Sequence, residues 1–498
     1  MDIAKIGDLL KYSPEEPMLF NSGLFFFLFT LFLAGYSFLY KHKKARILYI
    51  LIFSLYFYYK SSGAYVLILC GTVLTDYYIS LKLHQIKDAL KRKLFLIASI
   101  LLNVGFLLYF KYTNFFIENI GFLTGWELQN LDIFLPIGVS FYTFQSLSYI
   151  IDVYKRELEP AKNFYDFAFY MTFFPHLVAG PIVRAKFFLP QIDQELYINR
   201  KRVSDGLFLI LRGLLKKAVI ADYISQYNDF IFGNIGGYSN PEVMLAMYAY
   251  AVQIYCDFSG YSDMAIGIAR IMGYELGDNF NAPYSSISLS DFWRRWHMSL
   301  SSWLRDYIYI PLGGNKKGKL RQDFNLFFTM LVAGFWHGPS WSFVIWGCLH
   351  GLGLFIDKSV SKLWPSKVKA HWAFKVGATL LTFHVVAFLW LLFRIQSISE
   401  AWLAAKKSFF GIGEMIQSVF TAKYRDLIFQ FLDHRLLIIF SIILVLTITQ
   451  IKHHHEERLF DRFMRLPLLV KGLLFIALIQ WILNIQSAEV KPFIYFQF

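Results

Sequence analysis

Between Phe324 and Ile356 the chain runs for 33 residues without a single Asp, Glu, Lys or Arg. As one helix that run would be about 50 Å long, whereas the hydrocarbon core of a bilayer is about 30 Å thick. Its flanks are both basic, with Lys316, Lys317, Lys319 and Arg321 before it and Lys358 and Lys362 after it. Basic flanks belong on the cytoplasmic side, so both ends lie on one side, and Pro339 near the middle supplies a break. The pattern predicts a broken or re-entrant hairpin. Such backbone is tolerated at membrane depth only where protein encloses it. His337, in Phe335-Trp-His-Gly-Pro339, falls at the break, about 20 Å along the helix from Phe324. An ionisable side chain there marks a functional site. The competing reading is an interhelical hydrogen-bonding residue, but Gly334, Gly338 and Pro339 place His337 at a backbone break and favour function. His350 lies in a regular apolar stretch and reads as a packing or helix-bridging residue.

Apolar windows of membrane length recur along the chain, and only 17% of its residues are charged, against about 25% in soluble proteins. This is an all-α, polytopic membrane protein. The net charge of +14 sits in short loops, where it sets topology and meets anionic lipid; no nucleic-acid partner is implied. Cys70, Cys256 and Cys348 are isolated and read as small buried hydrophobes. The start, Met1-Asp-Ile-Ala-Lys, is not a basic signal region. Residues 1–18, with Ile3, Ile6, Leu9 and Leu10, predict an interfacial segment, and 19–498 form one transmembrane domain without soluble parts or repeats.

The predicted spans are 20–40, 47–59, 64–83, 94–110, 133–151, 164–178, 374–392, 436–450 and 468–485, with a long helix over 241–274. The basic cluster from Lys41 to Arg46 is assigned to the cytoplasm, with loops 84–93 and 452–465, which puts both termini outside. Residues 184–222 are amphipathic and basic, predicting a helix along the cytoplasmic interface. Its Lys216 and Lys217 are candidates for attracting an anionic donor.

Ser288 and Asp291 fit a capping box, so a helix should begin near Ser290. Continued at helical spacing, Trp293, Trp296, Leu300 and Trp303 form an apolar stripe, with Arg294, His297, Ser301 and Arg305 on a polar one. An interfacial helix with snorkelling arginines accounts for Arg294, Arg295 and the tryptophans. It leaves His297 without a job, and structural and functional readings stand even. Asp257 and Asp263 are costly in an apolar helix, and pairing with neighbours or Arg270 accounts for them. His453-His-His455 reads as part of a solvated charge run, and Gly313-Gly314 as a turn.

Several motifs in order resemble those of the membrane-bound O-acyltransferase family, most closely its alginate O-acetyltransferase-like subgroup. They are Phe174-Pro-His-Leu-Val-Ala-Gly-Pro-Ile-Val-Arg184, Tyr255-Cys-Asp-Phe-Ser-Gly-Tyr-Ser-Asp263, Asn279-Phe-Asn-Ala-Pro-Tyr-Ser285, Ser290-Asp-Phe-Trp-Arg-Arg-Trp-His297, Arg305-Asp-Tyr-Ile-Tyr-Ile-Pro-Leu-Gly-Gly-Asn315 and Phe335-Trp-His-Gly338. The resemblance implies helices around a central funnel or tunnel, with His337 as the near-invariant catalytic histidine and His297 as the second. Trp336, Arg294, Arg295, Asp257 and Asp263 become candidates for lining or substrate positioning.

What the resemblance implies for activity is acyl, most simply acetyl, transfer in the bacterial inner membrane. A cytoplasmic thioester such as acetyl-coenzyme A would be the donor, with no bound cofactor or metal. Hydroxyls of an extracytoplasmic polysaccharide would accept, through a separate periplasmic esterase-like partner. Imidazole suits this chemistry as a base near neutrality, and His297 or backbone N–H groups could hold the oxyanion. A sibling reading is D-alanyl transfer to a polymer such as teichoic acid. A reading from another class is a transporter or flippase, in which broken helices and buried charges are also expected.

Overall fold

In a computed structural model of the chain, the structure describes residues 9–15, 17–178, 180–363, 371–420 and 454–485, together with positions 7, 365 and 368. Every regular element among them is helical. By length and composition, Lys43–Gln85, Ala89–Thr124, Trp341–Val360 and Trp372–Arg394 can cross a membrane, and Gly23–Leu39 and Leu468–Trp481 are shorter apolar helices. The expected span 436–450 and the segment 492–498 lie outside the described residues, as does most of 1–18; Leu9 and Leu10 are helical and exposed.

The chain divides into two compact units. The first takes the described residues up to Arg212, Tyr261–Gly277 and those from Pro467 to Ile485. Its helices are α1 (Gly23–Leu39), α2 (Lys43–Ser62), α3 (Val66–Gln85), α4 (Ala89–Thr124), α5 (Val139–Lys155), α6 (Phe164–Thr172), α7 (Ala185–Asp193) and most of α8 (Arg200–Leu214). Local chemistry sets their ends. The Ser22 hydroxyl accepts the Phe25 N–H at 3.2 Å and Asp88 accepts the Lys91 N–H at 2.7 Å, the side-chain caps that a helix start favours. Gly63, at φ +60, turns the chain between α2 and α3. Helix α4 runs 36 residues, well past its expected apolar stretch.

Two carboxylates buried inside this unit are paired, as burial favours. Asp76 accepts from Ser99 and Asn103 at 3.3 and 3.1 Å and from Ser146. Asp263 holds Arg212 through a two-point bond at 2.7 and 2.8 Å. Arg270 pairs with Glu275 instead. Of the two expected accounts, pairing with neighbours or with Arg270, the second is corrected for Asp263, whose partner is Arg212 of α8.

The second unit takes Gly213–Gly260 and the chain from Asp278 to Leu466. Here α8 gives way to a wider, π-type stretch, Leu215–Ala221, followed by α9 (Asp222–Gly233). The long helix α10 (Asn240–Ile271) begins here. At Gly260 a Cβ would sit 2.8 Å from the Gly213 carbonyl oxygen and 3.0 Å from the Lys217 nitrogen. That glycine lets two backbones touch and brings Lys217 onto Asp257 at 2.6 Å and Asp222 at 2.8 Å. Lys217 is 2% exposed, so it is a core ion pair and not a donor-attracting surface charge. Lys216 lies over the Tyr255 ring at 5.5 Å.

Beyond lie α11 (Leu289–Arg295), α12 (Met298–Leu304), α13 (Lys319–His337), α14 (Trp341–Val360), α15 (Trp372–Arg394), α16 (Ile398–Phe420) and α17 (His454–Arg465). Helix α18 (Leu468–Ile485) belongs to the first unit and matches its predicted span. The charge-free run is the expected broken pair, α13 and α14, with Gly338–Ser340 between them. The two cross at glycines: a Cβ on Gly347 would meet the Met330 carbonyl oxygen at 2.5 Å and the Gly334 Cα at 3.2 Å.

Helix α16 has no counterpart in the sequence reading, because Glu400, Lys406, Lys407 and Glu414 interrupt its apolar pattern. Its buried Ala401, Ala404 and Ser408 face inward, and Lys407 donates to the Ile235 carbonyl at 3.0 Å. Cys256 is buried as expected, but Cys70 is exposed.

Candidate active site

The sequence Ser288-Leu-Ser-Asp291 starts α11 where expected: the Ser288 hydroxyl accepts the Asp291 N–H at 3.1 Å, and Asp291 reaches back to the Ile287 N–H at 3.4 Å. The helix does not continue through His297. Trp296 is extended and His297 adopts φ 43°, ψ 55°, a left-handed conformation unusual outside glycine. The predicted continuous stripes are thus two short helices with a break at the histidine. Trp293, Trp296, Leu300 and Trp303 are all buried, while the polar stripe splits: Arg294 is exposed and His297 is fully buried.

The break is clamped from outside. Asn279 and Asn281 run alongside it, the Met298 N–H donating to the Asn279 carbonyl and the Asn281 N–H to the Arg295 carbonyl, both at 2.9 Å. The His297 Nδ1 lies 3.1 Å from Asn279 Oδ1, which also accepts the Ser299 hydroxyl at 2.9 Å. Phe258 of α10 meets the imidazole edge to face, with ring centroids 4.6 Å apart.

His337 closes α13 at the other break and is 3% exposed. Its ring is enclosed by aromatics: Trp336 at 4.9 Å, Trp346 at 5.0 Å and Phe393 at 4.9 Å. Trp336 also lies 6.1 Å from the His297 ring, so one indole adjoins both histidines. The first turn of α14 begins at Trp341, and first-turn N–H groups have no acceptor within their own helix. His350 is buried one step further on, its Nδ1 accepting the Trp293 indole N–H at 3.3 Å. That bond bridges α11 and α14, the structural role expected of it.

Of the predicted site residues, His297, His337 and Trp336 come together. Arg294 points outward, Arg295 is held by Asp291 at 3.0 Å, and Asp257 is held by Lys217. Asp263 and its Arg212 partner belong to the other unit. Asn279, Ser299, Phe258, Trp346 and Phe393 were not singled out by sequence reasoning. Asn279 stood in a recognised motif, but nothing in its spacing pointed at a histidine 18 residues away; the aromatics were a few among many. Among the described residues, no group of three or more His, Cys, Asp or Glu gathers to hold a metal ion.

Two buried imidazoles among aromatic rings, one of them just before the start of α14, can accept and return a proton. This equipment fits acyl transfer. Residues 160–393 match the sequence model of MBOAT, the membrane-bound O-acyltransferase family. The chain is 36% identical to a peptidoglycan O-acetyltransferase of Helicobacter pylori, over 77% of this chain and 78% of that protein. It is 37% identical to a probable alginate O-acetylase of Pseudomonas aeruginosa, over 77% and 74%. A teichoic acid D-alanyltransferase of Bacillus subtilis is 30% identical over 52% of this chain and 68% of that protein.

Proposed function

The chain belongs to the membrane-bound O-acyltransferase family and is a membrane-bound O-acyltransferase, and from that premise we propose that it acetylates hydroxyls of a cell-envelope polymer, with His337 as the general base and His297 as its companion. The observation that carries this reading is the joint enclosure of both histidines around Trp336. The names of the relatives matched over 77% of the chain are those of acetylating proteins, which favours acetyl over D-alanyl.

His337 takes the proton of the attacking hydroxyl as its oxygen adds to the thioester carbonyl. When the carbon–sulfur bond breaks, the same proton passes to the departing sulfur. In this reading the N–H groups of the first turn of α14, which have no acceptor within their own helix, supply the hydrogen bonds to the developing oxyanion. The donor in this reading is a cytoplasmic acyl thioester, acetyl-coenzyme A being the simplest. The polymer is extracytoplasmic and is reached through a periplasmic acyltransferase partner. The host membrane is the bacterial inner membrane with both termini outside, an orientation supported by the basic loops.

Purified protein supplied with labelled acetyl-coenzyme A tests the donor. Cleavage of the thioester by wild-type protein and its loss in His337→Ala is the expected result. Equal cleavage by both proteins would remove His337 from the chemistry.

A further inference from the structure

We infer that Asn279 is a positioning residue that holds His297 as its Nδ1–H tautomer, so that Nε2 meets substrate as a hydrogen-bond acceptor. The inference deepens the acyl-transfer reading and, for its effect on rate, rests on it.

The argument begins with the Ser299 backbone N–H, which lies 3.3 Å from Asn279 Oδ1. A backbone N–H can only donate, so the atom facing it is the amide oxygen and not a flipped nitrogen. The same oxygen faces His297 Nδ1 at 3.1 Å. The Ser299 hydroxyl also lies 3.4 Å from Nδ1 but gives its hydrogen to the closer Asn279 oxygen at 2.9 Å; an amide oxygen can only accept, so Nδ1 carries the hydrogen. In a neutral imidazole the other nitrogen then bears the lone pair.

His350 supplies the contrast within the same unit. Its Nδ1 receives the indole N–H of Trp293 at 3.3 Å. Indole N–H is a donor only, so His350 is the opposite tautomer, with hydrogen on Nε2. Two buried histidines on neighbouring elements are thus set in opposite senses, and the one held by Asn279 lies beside Trp336 and His337.

The backbone supports the same assignment. A left-handed histidine is strained and persists only where its surroundings over-determine it. Here the Met298 N–H and the Asn281 N–H tie both sides of the break to the strip that carries Asn279. Of the charged groups on these elements, Asp257 is paired with Lys217 and Arg295 with Asp291, while Asp278 and Arg294 are exposed to the outside of the site.

The consequence concerns role. A neutral His297 with a bare Nε2 cannot donate to an oxyanion from that atom; it accepts a hydrogen bond from an O–H or N–H of the substrate. Oxyanion stabilisation falls to other donors.

The test has two readouts. Nitrogen-15 magnetic resonance of histidine-labelled protein, with His297→Gln assigning the signal, reads the tautomer without any activity. The inference expects a protonated Nδ1 and a bare Nε2 at His297; hydrogen on Nε2 overturns it. The second readout is the pH profile of kcat/KM. Asn279→Asp keeps the acceptor atom and stabilises the imidazolium, so the acid limb should move to higher pH, because the acceptor is lost once Nε2 protonates. Asn279→Leu should lower kcat/KM about tenfold, the scale of one lost hydrogen bond to a working group. An acid limb unmoved in Asn279→Asp, in protein whose His297→Ala variant is impaired, overturns the positioning role and leaves acyl transfer standing. Absence of acyl transfer in wild-type protein counts against the proposed function, and the tautomer is still decided by resonance.

Discussion

Lys217 Nζ and Asp257 Oδ1 lie 2.6 Å apart with both side chains almost completely buried, and Asp222 approaches the same ammonium at 2.8 Å. Removing one member of a buried pair strands the others and costs about 3–5 kcal/mol. Lys217→Met should therefore sharply lower the melting temperature and yield of detergent-purified protein, whereas Lys216→Gln should change little. Equal stability of the two variants would show that the buried charges are not coupled as the geometry states.

Gly334 and Gly347 let α13 and α14 touch just before His337. Gly347→Ala places a methyl against the Met330 carbonyl oxygen, and such overpacking costs about 1–3 kcal/mol. The variant should lose stability and acyl transfer together, since the crossing positions the histidine. Gly377→Ala in α15, where nothing lies within 4 Å of the new Cβ, is the control and should be neutral or slightly stabilising. Thermal unfolding and initial rates on the same preparations compare the two.

His350→Ala removes the acceptor of the Trp293 indole N–H. A buried donor left without its partner costs about 1–3 kcal/mol. Stability should fall by that order, while kcat per folded molecule changes far less than in His337→Ala. A loss of kcat matching that of His337→Ala, in well-folded protein, would move His350 into the chemistry.

Hydrogen bonds from Lys162 and Lys43 hold the Asp193 carboxyl below the usual carboxylate range. A lowered folded-state value contributes stability that is present above the ordinary carboxylate pKa and is lost as pH falls through the lowered one. Asp193→Asn should thus melt below wild type at neutral pH, with the gap closing in strong acid. Asp193 is 40% exposed, so the gap should be small and shrink with salt. A gap that widens in acid would reverse the sign.

The hairpin of α13 and α14 was legible because three constraints agreed: an absence of charge, a length beyond one bilayer crossing and a proline in the middle. Helix α18 was legible from hydropathy alone. The break at His297 was not, since the helical spacing of Trp293, Trp296, Leu300 and Trp303 continues across it; the left-handed turn depends on Asn279 and Asn281, which pattern reading treats as a separate segment. The partners of Asp257 and Asp263 were hidden for a similar reason. They come from Lys217 and Arg212, basic residues whose spacing reads equally well as a lipid-facing surface. Helix α16 was hidden because it packs through Ala401, Ala404 and Ser408 while Trp402, Phe409 and Phe410 stay exposed, the reverse of the usual apolar stripe.

The most direct test of the central claim is polymer acetylation in cells lacking the native protein and complemented with His337→Ala, with membrane protein level measured alongside. A general base contributes about 10²–10⁴-fold, so the account predicts acetylation at the level of the empty-vector control despite normal protein abundance. Full acetylation by normally abundant His337→Ala protein would contradict it.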